Sequence, residues 1–386
     1  MNIYRRVKAD PADWFSAAEV QKAKDYQRPL TFVRILNSVL SLGLLLVIIS
    51  THLTVKVANH FGGGAWYTRL LVSLAFLLVV DSVFDIPFDA WREFVHERKW
   101  EFSTQNAAGF VSDMVKGLVM AYVLFGALMT ALWALIRATP TMWWIFGWLV
   151  FLLFTVVIAL LAPVVILPLF NKFTPLDNEG LVARLQQLAR DAGLKISGVQ
   201  VMDASKRTRK DNAFFIGLGS TRRVVLYDNI LVQPDDSIAT VVAHELGHWR
   251  RRHIVRMLTV GTVMSFVLFY VLHVVTSWGP ALRWAGVTSL KDPAALPLFL
   301  LVLIGGQLIL QYAQAWLSRA LERQADLEAL ELTKDADAFT TMMRGLSTKN
   351  LSDLAPSAIT YLRLDHPPPA ERLEMAKQWA TVNSTA

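Results

Sequence analysis

The chain contains no cysteine, and that absence removes several chemistries at once. Disulfide staples, cysteine nucleophiles and cysteine-ligated zinc are excluded, so any metal must be held by His, Asp or Glu. Charge is also scarce. Asp, Glu, Lys and Arg make up 18% of the 386 residues, against about 25% in an ordinary soluble domain. Acidic residues are the scarcer sign, 31 against 38 basic, leaving a net charge of +7. No basic–aromatic module accompanies that excess, so no nucleic acid is expected as a partner. Internal repeats and low-complexity tracts are missing too. A cleavable signal is not expected, because the charged residues before Thr31 lead into a full-length apolar run rather than a short core with a cleavage site.

What fills the chain instead is apolar, 54% of it, gathered into long runs. Six are long enough, about 20 residues each, to cross a bilayer as helices. They lie near 34–54, 66–88, 109–136, 142–170, 256–278 and 295–317. Arg5, Arg6, Lys8, Lys22, Lys24 and Arg28 precede the first run, and Arg92, Arg98 and Lys99 follow the second. The segment 171–255 is richly basic, whereas the other loops are poorer. Every basic segment falls on one side of a six-span topology, which predicts a cytoplasmic location for both termini and for 171–255. The expected organisation is a cytoplasmic amphipathic segment at 1–33, four transmembrane helices in 34–170, a cytoplasmic insertion at 171–255, two further spans in 256–317, and a cytoplasmic segment at 318–386. The fold class is an all-α polytopic membrane protein with about six transmembrane helices and a small α+β insertion.

Within the insertion, Leu181–Ala192 has helical periodicity and stops near Gly193. Strands are expected at Gly198–Met202, Ala213–Leu218 and Arg223–Tyr227, the last two joined by a turn at Gly219-Ser220-Thr221. A helix starts after Pro234-Asp235-Asp236, another continues from Ser318 to Leu332, and a short one starts at Ala370 beyond a proline-rich stretch.

The strongest chemical signal is His244-Glu245-Leu246-Gly247-His248. Residues four apart on a helix share one face, one turn apart, so both imidazoles can bind one tetrahedral zinc. Glu245 beside them is placed to deprotonate a water there. With 8 His in 386 residues, composition alone produces such a match in roughly one chain in a hundred. A catalytic zinc takes three protein ligands and keeps one open position. Ser318–Asp326 supplies the best candidate for the third. Glu322 and Asp326 share a helix face, so Glu322 would ligate while Asp326 accepts a hydrogen bond from a ligand His. Taken without the His motif, these carboxylates read better as partners of nearby Arg on a solvated helix.

Taken together, these residues resemble the type I CAAX prenyl protease family, integral-membrane gluzincin zinc metalloproteases of the a-factor-converting type. The resemblance extends over nearly the whole chain. It includes Pro168–Leu176, Asn212-Ala213-Phe214-Phe215, Val224–Asp228, the His motif, Ser318–Asp326, and His366-Pro367-Pro368 with Arg372. It implies a zinc-dependent membrane endopeptidase whose three ligands are His244, His248 and Glu322. It also implies that Asn212 and Ala213 bind substrate backbone, and that His366 and Arg372 join Glu245 as catalytic residues, holding substrate or stabilising the tetrahedral intermediate. The implied substrate is a peptide or protein cleaved near a prenylated CAAX-type C-terminus. A heat-shock-type protease of membrane-protein quality control is the alternative. The implied address is a membrane with the catalytic side cytoplasmic, the plasma membrane in a bacterium or the endoplasmic reticulum in a eukaryote. Eukaryotic members resemble a seven-span protein, and six spans are counted here. Asp81, Asp85, Asp113, His273, Gln307 and Gln311 lie in or near spans, where they could line a chamber or join helices by hydrogen bonds.

Overall fold

The computed structural model describes residues 5–217 and 222–384. Among these, six helices are long and apolar enough to cross a membrane: Ala17–Ser50, Trp66–Lys99, Ala107–Ala138, Trp143–Phe170, His253–Ser277 and Pro293–Thr333. Helices suit such runs because lipid offers no partner to a backbone amide or carbonyl. The first starts at a capping box, in which the Ser16 hydroxyl accepts from Glu19 N and the Glu19 carboxylate accepts from Ser16 N. It then runs unbroken to Ser50. Residues 17–33, expected as a separate segment, are therefore the extension of the first span. The last helix is likewise continuous from Leu296 to Thr333, 38 residues, or about 57 Å at 1.5 Å per residue. The sixth span and the Glu322–Asp326 face are one rod.

Several of the intramembrane polar residues find partners. Asp113 accepts from Arg207 Nε at 2.7 Å and from Gln105 at 3.1 Å, so it ties the third span to the insertion. Gln307 donates to Gln314, and Gln311 to a carbonyl on its own helix. His273 packs against the rings of Trp143 and Trp144. Asp81 lines an intramembrane cavity of about 400 Å³ whose other walls include Leu45, Leu77, Met129 and Leu300.

The insertion holds a four-stranded mixed sheet in the order β1-β2-β4-β3. Strands β2 (Gly198–Met202), β3 (Ala213–Ile216) and β4 (Arg223–Tyr227) are the three expected from sequence. β3 stops before Leu218, which with the expected Gly219-Ser220-Thr221 turn lies outside the described residues. β1 (Phe173–Pro175) was not expected, since three residues carry too little alternation to read; antiparallel pairing with β2 holds it in place. β2 and β4 are parallel, while β3 pairs antiparallel to β4 and forms an edge. Helix Glu179–Asp191 covers the sheet, burying Leu181 and Leu185 against Val199, Val224 and Leu226.

The His-motif helix, Asp235–Arg250, lies between two cores. Val242 and Leu246 join the sheet cluster. Ala243 joins a second cluster, built from helices Ala336–Lys349 and Pro369–Asn383 with Phe15 and Ala329. Each large apolar side chain so buried contributes about 1.5–3 kcal/mol. The third neighbour is the long helix Leu296–Thr333, and contact there is unusually close. A Cβ added at Gly247 would stand 2.9 Å from both the Ala325 carbonyl oxygen and the Glu328 Cβ. Backbone against backbone leaves no soft side chain to yield. Glu328, buried beside this crossing, is ion-paired to Arg250 and Arg251. Gly247→Ala is therefore expected to destabilise the protein by about 1–3 kcal/mol, the usual cost of overpacking. It should also lower bound metal per chain. Thermal unfolding and metal analysis of the purified variant check both; an unchanged midpoint would remove the crossing as a constraint.

Candidate metal centre

Two helices bring the three expected ligands together. One ligand atom each from His244, His248 and Glu322 lie within 4.8 Å of one another. His244 Nε2 is 3.2 Å from Glu322 Oε2, and His248 Nε2 is 3.3 Å from Glu322 Oε1. The two Nε2 atoms face each other at 3.2 Å. Glu322 is 6% exposed and His244 7%. Glu322 Oε2 is buried with no aligned hydrogen-bond donor among the described residues, although two imidazole nitrogens stand within ion-pair range. A buried carboxylate facing two imidazole nitrogens in this arrangement fits a divalent cation, which would satisfy all three groups at once.

The outer nitrogens of both imidazoles are occupied. His244 Nδ1 lies 2.8 Å from Asp326 Oδ1. Asp326 is fully buried and is held in turn by Arg372, whose Nε donates to Oδ2 at 2.8 Å while a second guanidinium nitrogen donates to Oδ1. Arg372, expected to hold substrate or stabilise the tetrahedral intermediate, commits its fork to Asp326 while also lining the adjoining cavity. The counterpart on His248 was not anticipated. His253 Nδ1 lies 3.0 Å from His248 Nδ1. Periodicity hides this pairing, since five residues on a helix advance about 500° and point away.

Glu245 is half-buried next to the ligands, and burial pushes its carboxyl above the ordinary carboxylate range despite the nearby charges of His244 and His248. His366 sits on the far side, half-exposed, with Nε2 3.3 Å from Glu322 Oε2 and Nδ1 2.9 Å from Asp365. Ala213 begins edge strand β3 and Asn212 immediately precedes it; the Asn212 side chain accepts from Ala213 N, and its carbonyl accepts from Tyr227 N. Asn212, His366 and Arg372 all line one cavity of about 550 Å³. Ala213 is buried behind it. The arrangement can hold a cation, a carboxylate base and an extended chain beside a sheet edge.

The chain is similar to known proteins over nearly its whole length. A family model described as the CAAX prenyl protease N-terminal region, with five membrane helices, matches residues 2–172, where four of the six candidate spans lie. A second, described as peptidase family M48, matches residues 175–380. The CAAX prenyl protease 1 homolog of Oryza sativa is 30% identical, over 82% of this chain and 76% of its own. CAAX prenyl protease 1 of Saccharomyces cerevisiae is 29% identical, over 91% and 84%. The uncharacterized metalloprotease YhfN of Bacillus subtilis is 27% identical, over 96% and 88%. The crystal structure of S. mikatae Ste24p superposes with a TM-score of 0.87 at 25% identity, covering 97% of this chain and 93% of that one.

The electrostatics of the cluster give a pH dependence. Burial alone would lower His244, but the hydrogen bond and charge of Asp326, with the nearby carboxylate of Glu322, outweigh it and hold the imidazole up to about 10. Without metal, the cluster therefore keeps a proton at every pH well below that value. Metal uptake must expel it. Between about pH 6 and 9, affinity is expected to rise about tenfold per pH unit, with one proton released per ion. Chelator competition across that range, with proton release in weak buffer, checks this; affinity independent of pH would contradict it.

Proposed function

Because this chain belongs to peptidase family M48 and is a membrane metalloendopeptidase, we propose that its metal is zinc, held by His244, His248 and Glu322, and that it cleaves prenylated CAAX-type proteins near their C-termini. The observation that carries this reading is the convergence of the three ligand atoms beside Glu245, at a cavity walled by Asn212 and His366. The names of the Oryza and Saccharomyces relatives support the substrate class. Excess Lys and Arg in alternate loops supports a cytoplasmic face for the site.

When bound, zinc supplies Lewis-acid charge to the scissile carbonyl and acidity to water at the site. The protein's groups do the rest. Asp326, fixed by Arg372, accepts the His244 Nδ1–H and directs Nε2 inward. Asn212 and Ala213, at the start of edge strand β3, hold the substrate backbone extended. Glu245 takes a proton from the attacking water as its oxygen bonds to the carbonyl carbon, then passes it to the amine nitrogen as the C–N bond breaks. The elevated Glu245 carboxyl suits both transfers, since a base nearer neutrality is also a competent acid. His366 stands across the cavity as a donor toward the negative charge developing on the carbonyl oxygen.

Glu245→Gln should lower turnover about 10²–10⁴-fold while zinc stays bound; retained activity would end the assignment of the base. Glu322→Gln should lower zinc per chain, measured by metal analysis, and an unchanged stoichiometry would remove it from the ligand set. For the substrate, the purified full chain is assayed with a farnesylated CAAX peptide, its unprenylated counterpart and an unfolded membrane protein. Chelator-reversible cleavage of the farnesylated peptide is the expected result. Preferential cleavage of the unfolded protein would replace this substrate class with membrane-protein quality control.

A further inference from the structure

We propose that His253 is a positioning residue for the reaction, fixing the tautomer and ring plane of His248 so that the His248 Nε2 lone pair is directed at the metal. The inference rests on the reading of His248 as a ligand and goes beyond it.

Arg256 is an obligate donor, and its Nη1 lies 2.8 Å from Gln324 Oε1. That contact fixes which end of the Gln324 amide is the oxygen. His253 Nε2 lies 3.1 Å from the same oxygen, which can only accept, so Nε2 carries a hydrogen. The neutral ring then has a bare Nδ1. That atom faces His248 Nδ1 at 3.0 Å, so the hydrogen between them belongs to His248. With Nδ1 protonated, neutral His248 has its lone pair on Nε2, the atom that stands 3.3 Å from Glu322 and 3.2 Å from His244 Nε2. The reverse tautomer would put a hydrogen where the cation must sit.

The backbone is arranged to make this contact. The motif helix ends at Arg250, Arg252 adopts left-handed φ 54°, ψ 39°, and His253 opens the next helix. A left-handed arginine costs roughly 1–2 kcal/mol. The kink turns His253 back toward the motif, where it is 2% exposed and set edge-on to His248 with ring centroids 5.0 Å apart. Each ligand histidine therefore has its own acceptor: a carboxylate behind His244, and a neutral imidazole behind His248.

The test measures zinc affinity of the full chain in detergent by chelator competition, with the thermal midpoint of the metal-free protein recorded alongside. His253→Leu keeps bulk and removes the acceptor; affinity is expected to fall about 10–100-fold, the usual effect of losing such a partner. His253→Asn restores an acceptor near the Nδ1 position and should recover most of that loss. Gln324→Met removes the oxygen that fixes the His253 tautomer without touching either histidine, and should weaken affinity by a smaller factor. Unchanged affinity in His253→Leu, or equal losses in the Leu and Asn variants, would reduce His253 to a space-filling role and overturn the inference. If His253→Leu does not fold, unchanged affinity in Gln324→Met overturns it instead. His248→Ala separates the two levels: near-complete loss of zinc sustains the reading beneath, whereas retained affinity removes that reading and this inference with it.

Discussion

Everything at the centre depends on how closely two helices can approach. The His-motif helix brings His244, Glu245 and His248; the long helix Leu296–Thr333 brings Glu322 and Asp326. Neither set is a site alone. They meet because Gly247 presents no side chain to the Ala325 carbonyl and the Glu328 Cβ. The residue that permits contact thus sits between the base and the second imidazole of the motif itself. Cores on two further sides of the motif helix, the sheet on one and the C-terminal helices on the other, leave it little freedom to back away.

Around that crossing, polar groups are linked in series. Arg372 holds Asp326, and Asp326 holds His244. Arg256 and Gln324 hold His253, which faces His248. Both sequences of contacts end on the outer nitrogen of an imidazole and leave the inner one to face Glu322. Buried polar groups are costly unless satisfied, and here that cost is met by partners that also set orientation.

Much of this was legible in the sequence for identifiable reasons. Long apolar runs announced six spans because lipid imposes a minimum length on any segment that crosses it. His244 and His248 were legible because a four-residue spacing has one geometric meaning on a helix. Glu322 needed the His motif to raise it above an ordinary charged pair. Other features depended on tertiary context. β1 exists through its partner strand, and the left-handed turn at Arg252 moves His253 from the direction periodicity assigns it. Helix Ala336–Lys349 does carry a mark in the sequence: Phe339, Met342, Met343 and Leu346 follow the spacing of a buried face.

The unbroken helix Leu296–Thr333 acts as a ruler. One end is fixed in the bilayer by its apolar length, and the other carries Glu322. Each intervening residue adds about 1.5 Å of height and about 100° of rotation. Glu322 is thereby held at a set distance along the rod from its apolar stretch. On the proposed reading, a substrate anchored in the same membrane would be measured by how many residues separate its anchor from that level.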